Sequence, residues 1–170
     1  ATYRMTKNTS LTYKVFYNDK GDRPAVNTGA IDCLNTLIYT WNINKRWFYM
    51  GEVAFTDNTV YYTDRITTGS AFGFNNHLIY TVNEKLAVGF RAEYNHNIRS
   101  FFDIPAVTGG SGGDLWDFTL AANYKINPKM TFRPEIRYDT VSYNNGYRPF
   151  GGDESKKDQI SGGISFIVMF

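Results

Sequence analysis

Short polar connections and longer glycine-rich connections follow each other in turn along this chain, and that order limits its fold more than any other feature. The short connections are TKNTS (6–10), NINK (42–45), VNEK (82–85) and INPK (126–129). The long ones, rich in Gly, Asp and Asn, cover 18–29, 56–69, 100–114 and 144–158. Between them, apolar and polar residues alternate with the period of two that is typical of β-strands. The chain is therefore predicted to be an all-β series of hairpins.

The alternating segments predict about eight strands, and YRMT (3–6) before the first turn has the pattern of the tail of one more. The predicted strands cover 10–18, 30–42, 46–57, 69–82, 86–100, 114–126, 130–143 and 159–170. The longest apolar run, FIVMF at the end, is far too short for a membrane helix. The composition does not change along the 170 residues, so one domain is expected over 1–170.

Composition excludes several classes of function. The formal net charge of +2 comes from scattered acids and bases rather than from a basic stripe, which argues against nucleic acid as a partner. A single cysteine, Cys33, excludes an internal disulfide and a cysteine-based zinc site. No cofactor or metal site is expected, because the acidic loop groups are short and the two histidines fall on opposite strand faces.

Charged residues fall on one parity of the predicted strands. From 130 to 139 the polar parity holds Arg133, Glu135, Arg137 and Asp139, and the apolar parity holds Phe132, Pro134, Ile136 and Tyr138. Arg91, Glu93 and Lys125 lie on the polar parity of their own strands. A soluble barrel or sandwich also alternates, but it buries the apolar face and exposes the charges.

Aromatic residues near both ends of the predicted strands favour a membrane barrel over a soluble one. Beside the short turns lie Tyr39, Trp41, Trp47, Tyr80 and Tyr124, and toward the long loops lie Tyr94, Trp116, Tyr138 and Tyr143. Two such groups match aromatic girdles at the two membrane interfaces. The predicted fold is a transmembrane antiparallel up-and-down β-barrel with short periplasmic turns, in the outer membrane of a Gram-negative bacterium.

The last strand ends in large apolar residues that share one parity. They are Ile164, Phe166, Val168 and Phe170. This pattern resembles the C-terminal signal by which the barrel-assembly machinery of Gram-negative bacteria recognises its clients. The resemblance implies that the strand closes the sheet.

A second resemblance covers about the final quarter of the chain. TFRPEIRYD (131–139), the glycine-rich FGGDESKKDQ (150–159) and the closing strand are similar to the C-terminal signature of the OmpL-like family of bacterial β-barrel porins. Members of that family are about twice this length and have more strands, so the resemblance implies the C-terminal part of a larger barrel. It also implies passive passage of small solutes.

Three functions follow from these patterns. The first is a porin whose inward charges select solutes, with Arg91, Glu93, Lys125, Arg133, Glu135, Arg137 and Asp139 as candidate lumen residues. The same residues fit ion-pair ladders that only stabilise the interior. The second is a small closed eight-stranded barrel that serves as anchor, adhesin or scaffold. The third, an outer-membrane hydrolase, is disfavoured because neither His77 nor His96 shares a strand face with a suitable serine.

The barrel also implies partners. Outer-membrane lipid and lipopolysaccharide would surround it, and the barrel-assembly machinery would insert it. Association with copies of itself or with another membrane subunit stays open.

Overall fold

The computed structural model describes residues 1–17, 29–61, 66–97, 113–143, 148–151 and 155–169. Nine strands form, namely β1 (Thr2–Arg4), β2 (Thr9–Tyr17), β3 (Gly29–Asn42), β4 (Trp47–Tyr61), β5 (Ile66–Thr81), β6 (Leu86–Asn97), β7 (Gly113–Asn127), β8 (Met130–Tyr143) and β9 (Asp158–Val168). The all-β prediction is confirmed, and the predicted strand tail is β1. In the part of the chain that is described, no helix is long and apolar enough to cross a membrane.

All nine strands belong to one sheet, in which each strand pairs with the strands before and after it in sequence. Every pair is antiparallel, so the predicted up-and-down topology is confirmed. Strands β1 and β9 are the two edges, and among the described residues they do not pair with each other.

A polar side chain organises each of the four short turns. Asn44 Oδ1 accepts hydrogen bonds from the backbone N–H groups of Arg46 (2.8 Å) and Trp47 (3.0 Å). Asn83 Oδ1 accepts the equivalent bonds from Lys85 (2.9 Å) and Leu86 (3.0 Å). In the other two turns Thr6 and Asn127 accept backbone bonds in the same way. Side chains that mimic a backbone turn acceptor in this way favour tight reversals, which explains why these short segments end the strands.

The connection between β4 and β5 differs from the prediction of a long loop over 56–69. The two strands pair as far as Tyr61 opposite Ile66, which confines the connection to residues 62–65. Thr, Val, Tyr and Ile dominate this segment, and their strand preference outweighs the turn preference of Asp57 and Asn58. Short and long connections therefore do not alternate strictly.

Burial in this sheet is inverted relative to a soluble protein. Leu120 and Ile136, in the middle of β7 and β8, are 56% and 54% exposed, whereas Asp117 and Asp139 on the opposite face are 2% and 3% exposed. We call these the apolar face and the charged face. Further exposed residues of the apolar face are Leu37, Val53, Phe90, Ile160, Ile164 and Phe166. A soluble sheet of this alternation would bury the apolar side chains instead.

Candidate functional site

The register of the ladders aligns polar residues of the charged face in rows across the sheet. One row, which we call the acidic row, contains Glu52, Asn75, Glu93, Asp117, Asp139 and Gln159, each directly opposite the next. The neighbouring basic row contains His77, Arg91, Thr119, Arg137 and Ser161. The rows are two residues apart along each strand, about 7 Å, and the acidic row lies nearer the long connections. Carboxylates of the acidic row therefore lie next to guanidinium groups of the basic row on the charged face.

Asp117 lies at the centre of this arrangement and is the most buried large side chain of the described residues. Its Oδ1 lies 3.5 Å from Arg91 Nη2, and its Oδ2 lies 3.5 Å from Arg137 Nη2. Oδ1 accepts no hydrogen bond, so its contact with Arg91 is ionic only. Because a carboxylate withdrawn from water is costly unless it is paired, these two guanidinium groups are what allows Asp117 to be buried here.

Further contacts connect the two arginines to the acidic row. Arg137 Nε donates to Asp139 Oδ1 at 2.5 Å, and Gln159 Nε2 donates to Asp139 Oδ2 at 3.0 Å. Arg91 Nη2 donates to Thr119 Oγ1 at 3.2 Å and lies 3.5 Å from Glu93 Oε2. Two guanidinium groups thus meet three carboxyl groups.

The predicted lumen residues divide into three groups. Arg91, Glu93, Arg137 and Asp139 belong to the central network. Arg133 and Glu135 form a separate pair nearer the short turns, with Nη2 and Oε2 3.6 Å apart and side chains 42% and 39% exposed. Lys125 lies on the same face but eight residues from Asp117 along β7, about 26 Å, so it does not reach the central network. Its position in the lumen stays a prediction.

Asp117, Thr119 and Gln159 are members of the network that the sequence prediction did not include. Strand parity already assigns Asp117 and Thr119 to the polar face of β7. Parity does not say which residue of a neighbouring strand lies opposite, however, and the role of Asp117 depends on lying between β6 and β8 in the observed register. A strand register predicted from the lengths of the turns could have placed Asp117 between these two strands.

The two histidines lie on opposite faces. His77 is on the charged face, directly opposite Arg91. His96 is on the apolar face, where its Nδ1 lies 2.6 Å from Asp114 Oδ1, and the Tyr94 hydroxyl donates to the same oxygen at 2.7 Å. Ser142 lies opposite Asp114 on the side away from His96. The register thus places Asp114 between Ser142 and His96, whereas a serine nucleophile would have to lie beside the histidine.

Aromatic rings gather on the apolar face toward the long connections. Trp116 lies 4.5 Å from Tyr94, 5.6 Å from Phe74 and 6.0 Å from Phe118, measured between ring centroids. Tyr143, which was predicted to belong to this group, is wrongly placed there, because its position in β8 puts it on the charged face beside Val141 and Leu115.

The closing strand follows its predicted parity in the described residues. Ile164 and Phe166 lie on the apolar face opposite Pro134 and Phe132, and the rings of Phe132 and Phe166 are 5.2 Å apart. Val168 shares this face opposite Met130. Phe170, the last member of the predicted assembly signal, lies outside the described residues.

One antiparallel up-and-down sheet with an exposed apolar face and a buried charged face has the organisation of an outer-membrane barrel wall, where one face meets lipid and the other lines the interior. The family model described as "putative beta-barrel porin-2, OmpL-like" matches residues 1–170, and the chain belongs to this family. The predicted family is confirmed, and the match extends well beyond the final quarter. Membership in a porin family implies an outer-membrane location. No curated protein and no solved structure matches the chain.

Proposed function

We propose that the chain forms the wall of an outer-membrane pore through which small solutes diffuse passively, with the charged face toward an aqueous lumen. The inverted burial carries this proposal. Leu120 and Ile136 are exposed at mid-strand, where lipid would cover them, while Asp117 and Asp139 are withdrawn on the other face. The family membership supports the same assignment.

Burial on the charged face also supports closure of the sheet around that face. The described residues form a single layer, so no second layer covers Asp117. Its neighbours Arg91, Arg137 and Asp139 all come from the same face of the sheet. Side chains crowd in this way when a sheet curves toward their face, as it does in a barrel. We therefore place the charged face inside the barrel and the apolar face against lipid and lipopolysaccharide.

The members of the network have different roles in this proposal. The side chains of Arg91 and Arg137 are 29% and 37% exposed, so each side chain is partly open to a passing solute. Asp117 and Asp139 lie deeper and hold these groups in place. In this proposal the same ion pairs stabilise the interior and select solutes, because they fix the direction in which the guanidinium groups point.

A second candidate, a closed barrel that anchors or scaffolds and conducts little, is favoured by the deep burial of Asp117 and Asp139. Narrow barrels of about eight strands have interiors filled by side chains. In either role the chain is proposed to be non-enzymatic and free of cofactors. Ile164, Phe166 and Val168, with Phe170, are proposed to be read by the assembly machinery.

Conductance separates the two candidates. The full chain is folded into detergent, its folding is verified by heat-modifiable migration on a gel, and it is added to a planar lipid bilayer in KCl. The porin predicts discrete conductance steps that a heat-denatured sample of the same preparation does not give. Folded protein that inserts but gives no steps would exclude the pore and leave the anchor.

A further inference from the structure

A cavity of about 90 Å³ lies on the charged face of β5–β8, on the short-turn side of the basic row. We call it the basic cavity, and its polar lining consists of His77, Arg91, Thr119, Asn123 and Arg133. Gly89 and Ala121, directly opposite each other, also line it, and their lack of large side chains leaves the space open. A Cβ atom added to Gly89 would lie 3.7 Å from its nearest neighbour on another strand, Ile79 Cγ1. None of the described residues that line the cavity is acidic.

Two rows of polar residues border the basic cavity. On one side the register places Arg91 between His77 and Thr119 in the basic row. On the other side lie Asn123 and Arg133, each four residues nearer the short turns than the basic row. Four residues of a strand span about 13 Å, and the side chains of both arginines line the space within this span. Two guanidinium groups therefore border one small cavity.

The carboxyl groups that pair with these arginines lie outside the basic cavity. Glu93 and Asp117 belong to the acidic row, on the far side of Arg91. Glu135 extends toward β9, since its Oε1 lies 3.5 Å from the position that a Cβ atom of Gly163 would occupy. The basic row thus separates the cavity from the acidic row.

Both arginines keep donor groups without a protein partner. Their ion pairs use Nη2 alone, and in the described part of the chain the only hydrogen bond of either guanidinium group runs from Arg91 Nη2 to Thr119 Oγ1. The Nε groups of Arg91 and Arg133 are buried without a partner, while the side chains as a whole are 29% and 42% exposed. Because a charge withdrawn from water is costly unless it is paired, an anion in the basic cavity would stabilise both groups.

We propose that the basic cavity binds small inorganic oxyanions, such as sulfate and hydrogen phosphate, between the guanidinium groups of Arg91 and Arg133. This inference rests on the proposed function and names the solutes that the lumen retains. A tetrahedral oxyanion presents acceptor oxygens in several directions, so it can accept hydrogen bonds from both guanidinium groups at once. A water molecule occupies about 30 Å³ in the liquid, so the cavity has room for about three waters or one such anion.

Neutral donors complete the lining. Thr119 Oγ1 accepts its bond from Arg91, which leaves the hydroxyl hydrogen of Thr119 free to donate. Asn123 contributes an amide group that can donate two more hydrogen bonds. This surplus of donors over acceptors matches an oxyanion, which only accepts.

The test measures equilibrium binding of sodium sulfate and sodium methanesulfonate to the folded full chain in detergent, by calorimetry at constant ionic strength. KCl conductance in bilayers is measured in parallel. Methanesulfonate has the tetrahedral shape of sulfate and one negative charge fewer. We expect sulfate to bind at least about fivefold more tightly, because its extra charge lies beside two guanidinium groups.

Two pairs of variants locate the site, each verified as folded by heat-modifiable migration. Arg133→Gln removes one guanidinium charge and should weaken sulfate binding about fivefold or more. Lys14→Gln, the same loss of charge on the same face of β2, should leave it unchanged. Gly89→Val fills the basic cavity without changing its charge and should abolish sulfate binding. Ala54→Val, which places the same side chain on the same face of β4, should not.

Each alternative result has one meaning. Equal binding of sulfate and methanesulfonate, or unchanged sulfate binding in Arg133→Gln, would overturn the oxyanion site while KCl conductance could still establish the pore. Sulfate binding that depends on Arg133 but occurs without conductance would keep the site and exclude the pore. Equal losses in Arg133→Gln and Lys14→Gln, or full binding in a folded Gly89→Val variant, would overturn the assignment to the basic cavity.

Discussion

Two parts of the charged face pair their polar side chains through different chemical groups. In β6–β8, the charged sector, arginines and carboxylates pair around the buried Asp117. In β1–β3, the hydroxyl sector, the same face pairs serine and threonine hydroxyl groups and also carries Arg4 and Lys14. Ser10 Oγ and Thr40 Oγ1 are 2.7 Å apart, and Thr2 Oγ1 and Thr12 Oγ1 are 3.0 Å apart.

The comparison shows that the strand pattern alone does not require ions on this face. Hydroxyl groups in the hydroxyl sector satisfy one another across the strands without the large cost of removing charges from water. Ion pairs in the charged sector carry that cost, and replacing such pairs with neutral groups is often harmless to stability. Stability alone therefore does not explain why the described pairs around the buried Asp117 and Asp139 lie in the charged sector.

The largest expected effect comes from Arg137→Ala. This change leaves the carboxylates of Asp117 and Asp139, whose side chains are 2% and 4% exposed, without the guanidinium group that pairs with both, and removing one partner of a buried pair costs about 3–5 kcal/mol. The free energy of unfolding is measured by urea titration in lipid vesicles, followed by tryptophan fluorescence. Thr40→Ala in the hydroxyl sector is the matched control, with an expected loss of about 1 kcal/mol. Equal losses in the two variants would remove the energetic difference between the sectors.

The next effect tests the two faces of β8 instead of the two sectors. Ile136→Arg places a charge at mid-strand on the apolar face, and a lipid-facing arginine near the bilayer centre costs about 2–4 kcal/mol. The same urea titration measures this loss in the free energy of unfolding. Gly163→Arg, on the charged face opposite Glu135, should cost less because it faces the interior. If Ile136→Arg were as stable as the native chain in vesicles, the apolar face would not meet lipid.

Strand positions and faces could be predicted from sequence because both depend on neighbouring residues. Asn44, Asn83 and Asn127 lie inside the predicted short turns and each makes the bonds that close its turn. The alternation then assigns each side chain to a face. The short connection at 62–65 was not predicted because turn-forming and strand-forming residues are mixed around it. Pairing between β4 and β5 determines how far the strands extend there.

The site was less predictable than the fold because it depends on pairing across strands. Arg91, Glu93, Arg137 and Asp139 were predicted from parity, but parity does not distinguish them from Lys125 at the far end of β7. The role of Asp117 likewise comes from register. Phe150 lines a cavity on the charged face with Leu115 and Val141, and it comes from a segment whose return onto this face has no local signature.

A smaller effect is expected on ion selectivity. Reversing Arg133, whose side chain is 42% exposed on the charged face, to glutamate should shift the pore toward cations by about fivefold in the permeability ratio, since a unit charge at 4 Å in water is worth about 1 kcal/mol. Reversal potentials in a KCl gradient measure the shift. Lys7→Glu, the same reversal at an exposed short turn, should change it little. Unchanged potentials in the Arg133 variant would place this residue outside the lumen.

The smallest effect concerns the hydroxyl sector itself. Ser10→Ala and Thr40→Ala each remove one partner of a cross-strand pair, so a double-mutant cycle isolates their coupling, expected at about 0.5–1 kcal/mol. Unfolding in vesicles measures all four states. Coupling of this size would mean that the hydroxyl sector is held by neutral pairs of its own. Coupling near zero would mean that water satisfies these hydroxyl groups, and the sector would then be open to the lumen rather than packed.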